Sequence, residues 1–174
     1  LRTVRIGTKF VAYWPQRVLT DRDADDMLAV LAGVVDAGKN LAVMHHLSHP
    51  VEVSTEPAIR ALGRLREVGA MMYSQAPLMR HVNDTWEPWA RLWTEQLGLG
   101  VQPYYMFVAR DTGAQEYYKV PLTQALTVFE KAYSQSPGLA RTVRGPVMST
   151  TEGKIKVEAA TAMPDGRVAF DLVY

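Results

Sequence analysis

Leu41-Ala-Val-Met-His-His-Leu-Ser-His-Pro-Val-Glu52 and Met71-Met-Tyr-Ser-Gln-Ala-Pro-Leu-Met-Arg-His-Val-Asn-Asp84 share one plan: an apolar run that passes into hydrogen-bonding side chains. The first ends in His46, His49 and Glu52, and the second, one helix later, in Gln75, Asn83 and Asp84. A buried strand whose carboxyl end carries polar groups is how a parallel barrel delivers chemistry to one rim, and that rim is where ligands bind.

Working outward, strands and helices alternate. Val4 to Ile6 is a first strand. A helix over 24–37 puts Met27, Leu28, Leu31, Val34 and Val35 on one 3.6-period face, with aspartates at 21, 23, 25 and 26 near its positive end. Leu41 to His46 is the second strand. A helix over 57–68, capped by Ser54 or Thr55, turns Ile59, Leu62 and Leu65 inward. Met71 to Ser74 is the third strand, and 86–97 a helix stacking Trp86, Trp89, Trp93 and Leu97 on a core face. Gln102 to Val108 is the fourth strand, followed by a helix over 122–133 that buries Ala125, Leu126 and Phe129. Such alternation implies right-handed βα units on a parallel sheet. Beyond Ala140 the pattern changes. Segments 142–147, 154–160 and 168–174 alternate apolar and polar residues around a Pro164-Asp-Gly166 turn, which predicts a small antiparallel appendage and not another βα unit.

Composition bounds the function. The 174 residues, 48% hydrophobic and 21% charged, suffice for one good core. A net charge of +1 gives no field that would draw nucleic acid or a membrane surface. Hydrophobic runs fall well short of the ~20 residues of a membrane span. No signal peptide is evident, so a soluble, cytoplasmic protein is expected. With Cys 0, disulfides and thiolate metal sites are excluded within the chain.

Four ordered strings carry a specific resemblance: Arg5-Ile-Gly-Thr8, the HxxHPxE set His46, His49, Pro50 and Glu52, the YSQAPLMRHVND string 73–84, and Pro103-Tyr-Tyr105. In order and spacing they resemble the second half of the lysine 2,3-aminomutase family of radical S-adenosylmethionine (SAM) enzymes. The resemblance implies an α/β chain that is part of a (β/α)6-type radical SAM partial barrel with a C-terminal antiparallel β appendage. Residues 1–139 would be the later barrel units, with one sheet edge left raw, and 140–174 the β segment. It also implies a [4Fe–4S] cluster held by three cysteines of a CxxxCxxC loop. This chain has none and starts at Leu1 within a strand. The expectation is therefore a C-terminal portion, inactive alone, whose partner is the missing N-terminal half of the barrel.

A 2,3-aminomutase moves an amine between adjacent carbons, using SAM as radical source and pyridoxal phosphate (PLP) to hold the amine. The family carries the PLP lysine in a glycine-rich PGGGGK-like loop. The counterpart here is Gly145-Pro-Val-Met-Ser-Thr-Thr-Glu-Gly-Lys154, a longer loop in which hydroxyls replace most glycines. Lys154 is the candidate catalytic residue, and Ser149 and Thr150 candidate phosphate ligands; the alternative is an exposed lysine at a strand entry. His46 and Gln75 occupy rim positions that in the family lie near the SAM nucleoside.

Lysine-specific members place two aspartates against the substrate's remote ammonium, and the corresponding places here are Arg110 and Arg144. Guanidiniums there would repel an ammonium and hold a carboxylate, so a small amino-acid substrate with an acidic, glutamate-like side chain is implied. The alternative pairs Arg110 with Asp111 at the surface and turns Arg144 outward on its strand. His45 and His49 lack the helical context of a metal pair, and Thr85 stands where some members carry a zinc cysteine, so no metal site is expected. Asn83 and Asp84 are expected to cap the helix that follows. As neighbours on a strand, Tyr104 and Tyr105 should not both point inward. Other readings are a PLP-free or peptidyl-lysine-modifying relative, and a cluster-free binding module. Homo-oligomerisation is left open.

Overall fold

The computed structural model describes residues 1–110 and 113–174. Among them one sheet runs in the order β1 (Thr3–Thr8), β2 (Asn40–His46), β3 (Met71–Leu78), β4 (Val101–Val108), β5 (Arg144–Ser149), β6 (Lys154–Ala162) and β7 (Val168–Val173). β1 to β5 are parallel, and β6 and β7 continue the same sheet antiparallel. The chain is thus an α/β fold with a mixed, mostly parallel sheet. No helix among the described residues is long and apolar enough to cross a membrane.

The helices fill the connections: α1 (Phe10–Tyr13), α2 (Ala24–Asp36), α3 (Val51–Ser54), α4 (Glu56–Glu67), α5 (Trp86–Gly98), α6 (Gln115–Tyr118) and α7 (Leu122–Gln135). α4 starts where the Thr55 hydroxyl accepts from the Ala58 N–H. α2 carries Asp25 and Asp26 in its first turn, against the positive end of its dipole. Across from it, Arg64 of α4 donates to Asp25 and to the Val18 carbonyl, tying α4 to the turn before α2.

The core lies between the helices and one sheet face. Leu41, Val43, Met72 and Val101 pack with Leu28, Leu31, Leu62 and Leu65. Ala76 and Met106 pack with Trp89, Trp93, Val128 and Phe129. The intervening strand residues, Arg5, Ala42, Met44, Tyr73 and Tyr104, line the opposite, open face. Two-residue alternation sorts β1, β2 and β3 between the helix-covered face and the open one.

Several expectations change. The strand expected over 142–147 is β5 and pairs parallel with β4, so the βα pattern continues through α7 and the antiparallel part begins only at β6. Its polar alternation reflects a strand covered on one face. Ile59 is 42% exposed, because α4 buries Ala58, Ala61, Leu62 and Leu65 instead. Asn83 does not cap α5, whose N-cap is Thr85. It ties two rim loops together, donating to the Ser48 and Pro77 carbonyls and accepting from the Met79 N–H, while the Trp89 indole donates to its carbonyl. Finally, Tyr104 and Tyr105 both face the open side. Ser74 pairs with Pro103 but Gln75 with Tyr105, so Tyr104 is an extra residue in β4 and the bulge resets the alternation.

β5 meets β4 at close quarters. A Cβ on Gly145 would lie 2.8 Å from the Phe129 ring and 2.9 Å from Met106 Cβ. Gly145→Ala is therefore expected to destabilise the fold by about 1–3 kcal/mol through overpacking. Chemical denaturation checks this, and an unchanged midpoint would contradict it.

Candidate functional site

The carboxyl ends of the parallel strands and the start of β6 enclose a hollow of about 440 Å³ on the open face. β1 contributes Arg5, β2 His46, and β3 Gln75 and Pro77. β4 supplies Tyr104, Tyr105 and Phe107, with Arg110 beyond its end; Ser149 closes β5 and Lys154 opens β6. Six strands thus converge there. A second hollow of about 380 Å³ adjoins it, sharing Tyr105 and Lys154 and adding Arg144, Lys156 and Val147. Among the described residues neither hollow is lined by an Asp or Glu side chain.

An aromatic wall runs along the open face and into the first hollow. Ring centroids of Tyr73 and Tyr104 are 5.7 Å apart, of Tyr104 and Tyr105 4.3 Å, and of Tyr105 and Phe107 5.1 Å. The β4 bulge makes this wall continuous by putting both tyrosines on one face. Burial and the neighbouring Tyr105 hold the Tyr104 hydroxyl above the ordinary tyrosine range, opposed by the guanidiniums of Arg144 and Arg5. The Lys154 ammonium lies 4.9 Å from the Phe107 ring centroid and donates to Ser149 Oγ.

The loop before Lys154 closes on itself. Thr150 Oγ1 accepts from the Gly153 N–H at 3.2 Å and donates to the Gly153 carbonyl at 3.1 Å. Its hydroxyl is thereby taken up in the turn, and Thr150 does not line either hollow. A Cβ on Gly153 would sit 2.6 Å from the Tyr174 hydroxyl, which itself donates to the Glu152 carbonyl. The glycine lets β7 close over the loop.

At the opposite end, the HxxHPxE residues build the turn after β2. Glu52 accepts from the backbone N–H groups of Ser48 and His49 and pairs with Lys9 at 3.1 Å. His49 Nδ1 accepts from the Val51 N–H at 3.3 Å, which occupies that nitrogen inside the turn. Burial, then the Lys9 charge, pushes His46 below the ordinary histidine value, with Glu52 pulling the other way.

Of the residues singled out in the sequence, His46, Gln75, Arg110, Ser149 and Lys154 meet in one hollow, and Arg144 lines the next. The alternative pairing of Arg110 with Asp111 lies outside the described residues. Arg5 opens one of the four strings without being assigned a site role there, and Lys9 belongs to none of them, although Arg5 stands between Val4 and Ile6 and so must face away from the core.

The uncovered face of this α/β sheet gathers Lys154, Arg5, Arg110, the rim residue His46 and an aromatic wall at the strand ends, the place where open α/β sheets in general bind ligands. The chain is homologous to the L-lysine 2,3-aminomutases over a portion of their length. It is 34% identical over 161 residues to the "Putative L-lysine 2,3-aminomutase" of Aquifex aeolicus, covering 92% of this chain and 42% of that protein. It is 28% identical over 115 residues to the L-lysine 2,3-aminomutase of Escherichia coli, covering 63% of this chain and 33% of that protein. The glutamate 2,3-aminomutase of Clostridioides difficile is 24% identical over 137 residues, covering 79% of this chain and 30% of that protein. The chain thus spans less than half the length of these relatives. No protein-family model matches it.

His45, next to the site residue His46, points to the other side of β2. It is 1% exposed, and among the described residues neither ring nitrogen has a hydrogen-bond partner. Burial alone lowers its pKa from 6.5 to about 4. The folded protein therefore keeps His45 neutral, whereas the unfolded chain takes up a proton below pH 6.5. The stability contribution is complete above 6.5 and is lost as pH falls toward about 4, by up to roughly 3 kcal/mol. His45→Leu should flatten stability between those pH values in denaturation experiments. An equally steep acid loss in the variant would contradict this assignment.

Proposed function

We propose that the chain is the C-terminal portion of a radical SAM/PLP amino-acid 2,3-aminomutase-like enzyme whose substrate carries an acidic side chain. The observation that carries the reading is the convergence of Lys154, Ser149, Arg110, His46 and Gln75 in one hollow against an aromatic wall.

The residues suit PLP, a planar aromatic ring with an aldehyde and a phosphate. Lys154 is the amine for the aldehyde, Tyr104 and Tyr105 offer ring contacts, and Ser149 with the surrounding cations suits the phosphate. When bound, PLP would stabilise charge or spin on the carbon next to the migrating amine. His46 and Gln75, across the hollow, are the polar groups for the SAM nucleoside. The cluster is another matter: with Cys 0 the chain has no thiolate, so these residues do not hold it. Its ligands, and the strands beyond β1, belong to the rest of the enzyme in this reading.

This chain's own part is to bind and orient. Arg110 lines one hollow and Arg144 the other, and the two hollows share Tyr105 and Lys154. A side-chain carboxylate held between guanidiniums would fix the distal end of the substrate, leaving its amine toward Lys154. Tyr104, whose hydroxyl stays protonated well above neutrality, can donate a hydrogen bond without adding negative charge.

Borohydride reduction of the full-length enzyme with PLP should leave a pyridoxyl label on Lys154, located by peptide mapping. A label on another lysine, or none, would contradict the PLP assignment. Separately, Arg110→Asp combined with Arg144→Asp should weaken a glutamate-like substrate by roughly tenfold or more for each charge-assisted bond lost. Unchanged KM for the acidic substrate would return both arginines to a surface role.

A further inference from the structure

The strand register sets up a contact that the motifs do not disclose. Thr8, the last residue of β1, is opposite His45, so the next residue, Lys9, comes level with His46. The Lys9 ammonium reaches the His46 carbonyl at 3.5 Å and Glu52 Oε1 at 3.1 Å. Through its other oxygen Glu52 holds the Ser48 and His49 N–H groups. One lysine thus bridges the end of β1, the His46 backbone and the turn that carries the chain away from β2. The pair is half-buried, with side-chain exposures of 40% for Lys9 and 23% for Glu52. An exposed ion pair alone contributes little. Here the carboxylate also fixes two backbone donors, which gives the pair a positional role.

We propose that Lys9, through its bonds to the His46 carbonyl and to Glu52, is a positioning residue that presents the His46 ring to the hollow. A neutral imidazole has one donor and one acceptor nitrogen and can match the edge of a nucleobase, whereas the charged ring donates twice and repels cationic ligands such as a sulfonium. The inference deepens the nucleoside-pocket reading of His46 and rests on it. The charged groups around His46 are Lys9 and Glu52 on the turn side, and Arg5, Arg110 and Lys154 across the hollow; Gln75 is its uncharged neighbour in register on β3. Lys9 is the cation tied to the His46 backbone itself, so its removal changes both the position and the protonation of the ring.

The test is a histidine titration by NMR of wild type, Lys9→Met and Lys9→Arg, with adenosine binding to the full-length protein as second readout. Lys9→Met should shift the His46 titration upward toward the ordinary histidine range. Lys9→Arg should restore the wild-type titration. Adenosine affinity should fall about fivefold in Lys9→Met, the equivalent of roughly 1 kcal/mol for one misplaced hydrogen bond, and recover in Lys9→Arg. Should Lys9→Met not fold, Lys9→Gln, which retains a donor without the charge, carries the same expectation for the titration. An unmoved His46 titration in a folded variant would overturn the proposal, as would unchanged adenosine affinity. Failure of the wild-type protein to bind adenosine would instead overturn the nucleoside reading, and the titration would still decide the role of Lys9.

Discussion

Everything in this structure depends on the unequal covering of the sheet. Helices α2, α4, α5 and α7 supply the apolar surface that buries Leu41, Val43, Met72, Val101 and Met106. Desolvation of those side chains contributes on the order of 25 cal/mol per Å² and fixes which way each strand faces. A slip of one residue would send the apolar set into water and bring Arg5, Tyr73 and Gln75 into the core. The open face is therefore held in place by the other one. Its polar residues need no partners of their own to be positioned, and that leaves them available for a ligand.

The β4 bulge and the β5–β6 connection turn this open face into a site. Without the extra residue at Tyr104, one of the two tyrosines would point into the helices, and the aromatic wall would be broken. Without Gly145, β5 could not approach Met106 and Phe129 closely enough to place Ser149 and Lys154 beside Phe107. The rim loops are stiffened by Asn83 on one side and the Lys9 and Glu52 pair on the other. Homology to the L-lysine 2,3-aminomutases extends over most of the chain. Activity, substrate and cofactors remain the proposal that the arrangement supports.

Much of this was legible in the sequence, for physical reasons that can be named. α2, α4, α5 and α7 declare themselves because their buried faces recur at the helical period, and Thr55 marks the start of α4. Ile59 misleads because alanines at 58 and 61 allow α4 to approach the core with Ile59 turned outward. β5 looks like part of the antiparallel tail because Arg144 lies on the uncovered face, so an alternating strand can still be parallel. The bulge at Tyr104 has no local signature, since it arises from pairing with β3. Lys154, Arg110, His46 and Gln75 were found through motifs, while Lys9 required the register of two strands separated by α1 and α2.

The central claim is that the uncovered face, and no other surface, takes an aromatic anion. Chemical-shift mapping of isotopically labelled protein with PLP tests it most directly. The account predicts perturbations at His46, Gln75, Tyr104, Tyr105, Ser149 and Lys154, with the helix side unaffected. Perturbations confined to the groove of Trp86, Arg91 and Glu95 on α5, or scattered over surface lysines, would contradict it.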